Sequence, residues 1–225
     1  MVQATQERKK SFSSFSYKEA FQQLGIIELS RWSLAEPLGT GIEAEPVPIS
    51  DFFRQRLERL QRFDLESLEV SKTLLIDAIC EEGLEGFDSR GERFHQRLKV
   101  WKGAYLEGEK TCGNADYLIA QRRAYLEGPF VCVIEAKKDD FEQGTAQCLV
   151  EMQACQWSNR ELGRSVPIYG IVTNGEGWKF YRLAIDGSVS ETLLHGIGEM
   201  SILLGLLRSF FGLCVQNLDM VTGVS

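Results

Sequence analysis

The spacing of apolar residues alternates along the chain between a helical period and a strand period, and these changes predict the elements of the fold. Apolar residues at i, i+3 and i+4 are typical of an amphipathic helix, whereas strict alternation is typical of a strand. Helical segments are predicted at 17–25, 51–63, 65–82, 140–157 and 197–216. Strands are predicted at 95–106, 110–120, within 131–140, and at 166–175, 177–185 and 188–194.

Short signals mark where several of these elements begin and end. Gly83 follows a helical segment, as is common at a helix C-terminus. Ser50 and Asp140 each precede a helical segment and are typical N-cap residues. Asn174 and Gly175 predict a tight turn between two strands, because both residue types tolerate positive φ.

The order of the elements predicts an α/β fold with a mixed central β-sheet flanked by helices. A hairpin precedes the strand within 131–140, and the helix 140–157 then crosses to a strand that we expect to be parallel to it. Residues 1–65 are predicted to form an N-terminal helical and extended arm, because 36–50 is rich in proline and glycine. Residues 66–225 are predicted to form the α/β domain.

The strand within 131–140 begins as a buried strand and ends in charge. Side chains alternate across a strand, so Glu135 and Lys137 point to the same side as Val133. A strand that is apolar on both faces belongs in the middle of a covered sheet. Charges at its end are therefore either a solvated tip or a functional site.

A third charged residue belongs with this pair. Asp116 lies in the preceding predicted strand, and antiparallel pairing could place it beside Glu135. Two adjacent carboxylates repel each other unless a cation lies between them or one is protonated. Their oxygens, with the Ala136 carbonyl as a third ligand, would suit a hard ion such as Mg²⁺, or Mn²⁺. Lys137 would then orient a water molecule and offset charge on a phosphate.

Two helices flank the predicted strands, and one of them carries further acidic candidates. Glu82 falls near the middle of the apolar stripe of 65–82, and Glu81 lies toward its margin. A carboxylate on an apolar face needs a partner, so either residue could support a site or form a hydrogen bond near the helix end. In the helix 140–157, the spacing assigns an inner side to Ala146, Val150, Gln153, Ala154 and Trp157.

Four segments of the chain together resemble a known nuclease superfamily. They are GNADY (113–117), IEAKK (134–138), GTAQ (144–147) and VTNGEGWKFYRL (172–183). In this order they resemble the PD-(D/E)XK superfamily, which has the restriction endonuclease-like fold. The similarity is to the N-terminal nuclease region of type I restriction enzyme R subunits, and it covers about residues 66–185.

The resemblance implies a Mg²⁺-dependent nuclease that acts on DNA. It implies catalytic roles for Asp116, Glu135 and Lys137, with support from Gln147 and from Glu82 or Glu81. Ala115 stands where the family has proline, and neither a helicase motor nor a separate target-recognition domain is evident.

Composition narrows the chemistry further. The net charge of −7 argues against a protein that binds nucleic acid through overall positive charge. It is compatible with a protein that binds divalent cations. Six cysteines form no CxxC pair and only two histidines occur, which argues against a zinc site. Several cysteines fall within apolar patterns, so a reducing cytoplasm is the expected compartment.

The apolar C-terminal segment leaves questions of partner and role open. The window 200–215 contains Arg208 and is shorter than a membrane span, so we predict a core helix and no membrane contact. The helix 197–216 could also form a homodimer or partner surface. A catalytically silent fold that serves as a binding or scaffold module is the alternative to a nuclease. A nuclease that acts on RNA or on branched DNA is a third hypothesis.

Overall fold

The computed structural model describes residues 8–32, 45–65, 69–137 and 140–223. The part of the predicted loop at 36–44, and Lys138 of the IEAKK segment, lie outside the described residues. The structure is a mixed β-sheet flanked by helices, and nine strands of the described residues form one sheet. This confirms the predicted α/β class with a mixed central sheet.

The described helices and strands follow one another as the sequence pattern indicates, with four short additions: two strands near the N-terminus, one helix before the hairpin and one strand before the last helix. The helices are α1 (Tyr17–Leu24), α2 (Asp51–Leu60), α3 (Glu69–Leu84), α4 (Phe94–Arg97), α5 (Phe141–Glu161) and α6 (Met200–Thr222). The strands are β1 (Lys10–Ser11), β2 (Ser30–Arg31), β3 (Leu98–Glu107), β4 (Thr111–Gln121), β5 (Phe130–Ala136), β6 (Ile168–Thr173), β7 (Gly177–Leu183), β8 (Val189–Glu191) and β9 (His195–Gly196).

The sheet is antiparallel except where helices or the N-terminal segment intervene. Its order is β1-β4-β5-β6-β7-β8-β2, with β3 paired to β4 and β9 paired to β7. Strands β4 and β5 are antiparallel, whereas β5 and β6 are parallel and are joined by α5. This is the crossover that the sequence predicts, and it places β5 in the interior of the sheet.

Two apolar layers cover the two faces of the sheet. On one face, α5 packs through residues such as Leu149 and Met152 against Leu118 and Val133. On the other face, α3 and α6 pack against a cluster that includes Ile134 of β5. Because alternate residues of β5 point to opposite layers, Glu135 faces the α5 layer together with Val133.

The described part of residues 1–65 is packed on the same sheet. Strand β1 pairs in parallel with β4, and β2 pairs in parallel with β8. Helix α1 contacts α5, and α2 contacts α3. The boundary near residue 65 stays a prediction, but the segment before it contributes two strands to the sheet of the α/β domain.

The predicted caps and turn are present, with one exception at Gly83. Ser50 Oγ accepts from Phe53 N at 3.1 Å, and Asp140 Oδ1 accepts from Gln143 N at 2.8 Å. The predicted helix end at Gly83 is wrong, since α3 continues to Leu84. Gly83 instead permits close contact with α6, because a Cβ atom there would lie 3.0 Å from Phe211 Cε2.

Helix α6 is longer than the apolar pattern predicts. The segment Ile197–Val221 is long and apolar enough by length and composition to cross a membrane, whereas the apolar window 200–215 predicts a segment too short to do so. In the structure it packs as a core helix, with Leu204, Leu207 and Phe210 fully buried. Its role as a dimer surface and the absence of a membrane contact stay predictions.

Candidate active site at the end of strands β4 and β5

The register of β4 and β5 brings Asp116, in the middle of β4, beside Glu135 near the C-terminal end of β5. Tyr117 pairs with Ile134. In an antiparallel pair, the residue before Tyr117 lies opposite the residue after Ile134, so Asp116 lies opposite Glu135. Asp116 Oδ2 accepts a hydrogen bond of 2.9 Å from Ala136 N. The side chain of Asp116 therefore reaches across to the backbone between Glu135 and Lys137.

Glu135 and Lys137 form an ion pair at the strand end. Lys137 Nζ lies 2.8 Å from Glu135 Oε1, and the Glu135 side chain is 0% exposed while that of Lys137 is 21% exposed. Lys137 N donates to Thr173 O at 2.9 Å, which holds this residue beside β6. The three residues of the D…ExK pattern, Asp116, Glu135 and Lys137, are thus brought together.

The first turn of α5 lies directly against this strand end because it contains a glycine. A Cβ atom at Gly144 would lie 3.0 Å from Lys137 Cγ and 2.7 Å from Val172 Cγ1. Both distances are shorter than side chains normally accept at this position. Gly144 thus lets the helix approach the stem of Lys137 closely and restricts where that side chain can go.

Gln147 lies on the side of α5 that faces the sheet and is buried. Its Nε2 donates a hydrogen bond of 3.1 Å to Glu151 Oε1, one turn further along the helix. In the described residues, Gln147 Oε1 and Glu151 Oε2 are buried and accept no hydrogen bond. Two acceptor oxygens without donors are costly in a protein interior, and they point to a site that takes up a cation or a donor.

Glu151 is a member of this group that sequence reasoning missed. It is fully buried, and its pKa is raised well above the ordinary value, first by burial and then by the charge of Glu135. Asp116 raises this pKa further, whereas Lys137 lowers it. Glu151 thus lies within electrostatic reach of all three D…ExK residues.

The inner side of α5 differs from the one that the apolar spacing assigns. Gln153 and Trp157 are only half-buried, whereas Glu151 and Cys155 are fully buried. The spacing of four residues from Gln147 to Glu151 was the available signal, since it places both on one side of the helix. The spacing of apolar residues alone does not indicate it, because a carboxylate is not expected on a buried side.

The structure does not bring Glu82 or Glu81 to this group. Glu82 accepts hydrogen bonds from Ser50 N at 3.2 Å and Ser50 Oγ at 2.8 Å, so it secures the start of α2. Glu81 forms an ion pair with Arg56 at 3.0 Å. Helix α3 packs on the opposite face of the sheet. Its N-terminal half is the part near the strand ends, because Lys72 Cβ lies 3.9 Å from a Cβ placed at Gly175.

The ligand atoms around Asp116 and Glu135 are of the chemical type that a hard metal ion prefers. They are carboxylate and amide oxygens, which Mg²⁺ prefers, and the buried acceptors of Gln147 and Glu151 add to them. Within the described ranges, no group of three or more His, Cys, Asp or Glu side chains lies close enough to hold a metal ion. A cation here would therefore rest on two carboxylates and a main-chain carbonyl.

Comparison with known proteins gives a distant similarity to an effector protein. No model of a known protein family matches the chain. Crinkler effector protein 1 of Rhizophagus irregularis is 28% identical over 131 residues, which cover 54% of this chain and 25% of that protein. The similarity thus spans about a quarter of the length of that relative.

Proposed function

We propose that this chain hydrolyses phosphodiester bonds in nucleic acid and that its substrate is DNA. In this proposal it is a Mg²⁺-dependent nuclease of the PD-(D/E)XK type, in which Mn²⁺ could replace Mg²⁺. The single observation that carries the proposal is the contact of the Asp116 carboxylate with Ala136 N, next to the Glu135–Lys137 pair. The mixed sheet, with its parallel β5–α5–β6 unit, is compatible with a restriction endonuclease-like fold.

Asp116, Glu135 and the Ala136 carbonyl are the proposed cation ligands. A divalent cation bound there would neutralise negative charge on a phosphate and make a bound water more acidic. Mg²⁺ keeps several of its own waters, so two carboxylates and one carbonyl are sufficient protein ligands. The buried Oε1 atom of Gln147 supports this assignment, because it is an acceptor without a donor in the interior of the site.

Lys137 has the proposed role of orienting the attacking water and offsetting charge on the phosphate. Its ammonium group lies 2.8 Å from Glu135 Oε1, at the border between the buried strand and solvent. Gly144 and Val172 confine its stem, and its backbone is bonded to Thr173. An ammonium group held at such a fixed position stabilises the negative charge that develops on the phosphate, and it does not have to reorganise during the reaction. Gln147 has a supporting role from α5.

Calorimetric titration tests the cation site directly. We expect saturable binding of Mn²⁺ or Mg²⁺ to the wild-type chain and none to Asp116→Asn. Asp186→Asn, which changes an exposed loop carboxylate, is the matched control and should bind as the wild type does. A cleavage assay on linear DNA with and without the cation then tests the reaction. Equal binding by both variants, or no binding by the wild type, would contradict the proposed site.

A binding or scaffold module is the second candidate function. Two features favour it: both carboxylates already contact protein groups, and the described residues hold no cluster of three metal-ligating side chains. The relative is by name an effector protein, which is compatible with either role. A chain that folds normally but neither binds Mn²⁺ nor cleaves DNA would support this candidate over the nuclease.

A further inference from the structure

An exposed groove lies between α2 and the N-terminal half of α3, on the opposite side of the sheet from α5. Its volume is about 320 Å³. Aromatic, basic and aliphatic residues line it, including Phe52, Arg56, Arg59, Leu60, Phe63 and Leu74. Leu60 and Leu74 are at least partly buried beneath it, so the groove has an apolar floor.

The aromatic and basic residues form one strip, which we name the α2 strip: Phe52, Arg56, Arg59 and Phe63. They recur at i, i+4, i+7 and i+11, so the helix and the turn after it present all four on one side. Phe52 is 69% exposed and Phe63 is 57% exposed. Two phenylalanine rings that remain this exposed at both ends of an apolar groove mark a binding surface rather than core.

Charge on the strip is opposite to that of the molecule as a whole. The net charge of the chain is −7, yet residues 51–62 contain four arginines against Asp51 and Glu58. Neither of these acidic residues lines the groove. Glu81, Glu82 and Glu85 instead line the neighbouring cavity beyond Phe53. Phe52 and Arg56 also border that cavity, and Arg56 forms an ion pair of 3.0 Å with Glu81. An anionic ligand is thus favoured at the Arg59 end of the strip and repelled from the adjoining cavity.

The groove is connected to the candidate active site through α3. Leu74 lines the groove, and Leu75 Cδ2 lies 3.6 Å from a Cβ placed at Gly175 in the β6–β7 turn. Gly175 N donates to Thr173 Oγ1 at 3.0 Å, and Thr173 O accepts from Lys137 N at 2.9 Å. Packed residues of α3 and of the β6–β7 turn thus link the groove to the backbone of Lys137.

From this arrangement we infer that the α2 strip binds an unpaired single strand of nucleic acid that extends from the active site. Exposed phenyl rings stack on base faces, and guanidinium groups contact phosphates. A duplex keeps its base faces stacked inside and offers only phosphates and groove edges to the strip. The inference rests on the proposed nuclease function and makes its substrate single-stranded or locally unpaired at the cleavage point.

Fluorescence anisotropy with a short labelled oligothymidylate tests the strip. Measurements in EDTA prevent cleavage, so binding is read without activity. We expect Phe52→Ala combined with Phe63→Ala to weaken binding about tenfold or more, as base–aromatic stacking predicts. Arg59→Ala should weaken binding and reduce the slope of its salt dependence by about one. The same strand annealed into a duplex should bind more weakly than the single strand.

Tyr125→Ala is the matched control, because Tyr125 is 65% exposed and precedes the far end of β5. It should leave oligothymidylate affinity unchanged, and unchanged circular dichroism would show that the strip variants fold. Wild-type affinity in the double phenylalanine variant, or preference for the duplex, would overturn the inference even if the chain cleaves DNA. Phe-dependent binding without any cleavage would instead contradict the nuclease function and leave the strip as a binding surface.

Discussion

Gln147 Nε2 donates to Glu151 Oε1 at 3.1 Å across one turn of α5, inside the apolar layer beneath the sheet. This hydrogen bond joins the one site residue that sequence predicts on α5 to the one that it missed. Glu151 is fully buried and faces the charges of Glu135 and Asp116. The pair therefore places an ionisable group of α5 within electrostatic reach of Asp116 and Glu135.

Glu151 should make the stability of the metal-free protein depend on pH. Burial and the charge of Glu135 raise its pKa in the folded state well above the ordinary value of 4.5. Above pH 4.5 the unfolded chain therefore loses this proton while the folded protein keeps it. Folding stability is then lost as pH rises toward the folded pKa, and none is lost from this group below 4.5.

Glu151→Gln removes this dependence, because the amide is neutral but keeps the oxygen that accepts from Gln147. We expect the variant to gain stability over the wild type, by up to about 1.4 kcal/mol per pH unit, as pH rises above the unfolded value. Denaturant unfolding in EDTA across pH measures this difference. Glu142→Gln, at an exposed position on the same helix, is the control. If the difference in the free energy of unfolding between the variant and the wild type does not change with pH, Glu151 is not buried in its neutral form.

Gly144→Ala should displace Lys137 while leaving the fold intact. The added Cβ would lie 2.7 Å from Val172 Cγ1 and 3.0 Å from Lys137 Cγ. Overpacking and the higher helix propensity of alanine oppose each other, so we expect a net loss of about 1 kcal/mol in stability. Because Lys137 must move, cleavage should fall by much more than this loss of stability explains.

Gly198→Ala is the matched control for this substitution, because no heavy atom lies within 4 Å of its added Cβ. Thermal unfolding and cleavage rates of the two variants are compared with the wild type. Full cleavage activity in Gly144→Ala would show that close packing against the Lys137 stem does not matter for its position.

Lys137→Ala should abolish cleavage and leave cation binding largely intact. Removing a group that stabilises charge only in the transition state typically costs about 100-fold or more in rate. The carboxylates of Asp116 and Glu135 stay in place, so calorimetric binding of Mn²⁺ should persist. Lys110→Ala, in the exposed turn between β3 and β4, should cleave as the wild type does. Equal cleavage rates in the two variants would remove the role that we assign to Lys137.

Glu82→Ala should affect stability but not chemistry. Glu82 accepts two hydrogen bonds from Ser50, and losing hydrogen bonds to a buried charged group costs about 1–3 kcal/mol. Glu82 also lies ten residues beyond Lys72 on α3, about 15 Å along the helix from the end that approaches the β6–β7 turn. Urea unfolding should thus shift, while cation binding and cleavage should not.

Glu81→Ala provides the comparison, since its ion pair with Arg56 is partly exposed and should contribute about 1 kcal/mol or less. If Glu82→Ala instead removes cation binding without a change in stability, Glu82 belongs to the active site rather than to the start of α2.

Local sequence signals determined much of the fold of this chain. Period-two alternation and the Asn174–Gly175 turn predict β6 and β7, and Asn174 Oδ1 accepts from Gly177 N at 2.7 Å as such a turn requires. The D…ExK pattern also predicts that Asp116, Glu135 and Lys137 meet, because strand alternation and antiparallel pairing are short-range geometry. These features depend on residues that are close in the chain or in adjacent strands.

Tertiary structure alone decided the rest, because it depends on contacts between distant segments. Pairing of β1 with β4 and of β2 with β8 cannot be read from two-residue strands. Glu82 turned to Ser50 rather than to the active site because α3 and α5 cover opposite faces of the sheet. Glu151 lies beside the candidate site because the approach of α5 at Gly144 carries its buried side toward β5. Burial and the facing charges then set its pKa, and neither is visible in a single segment of sequence.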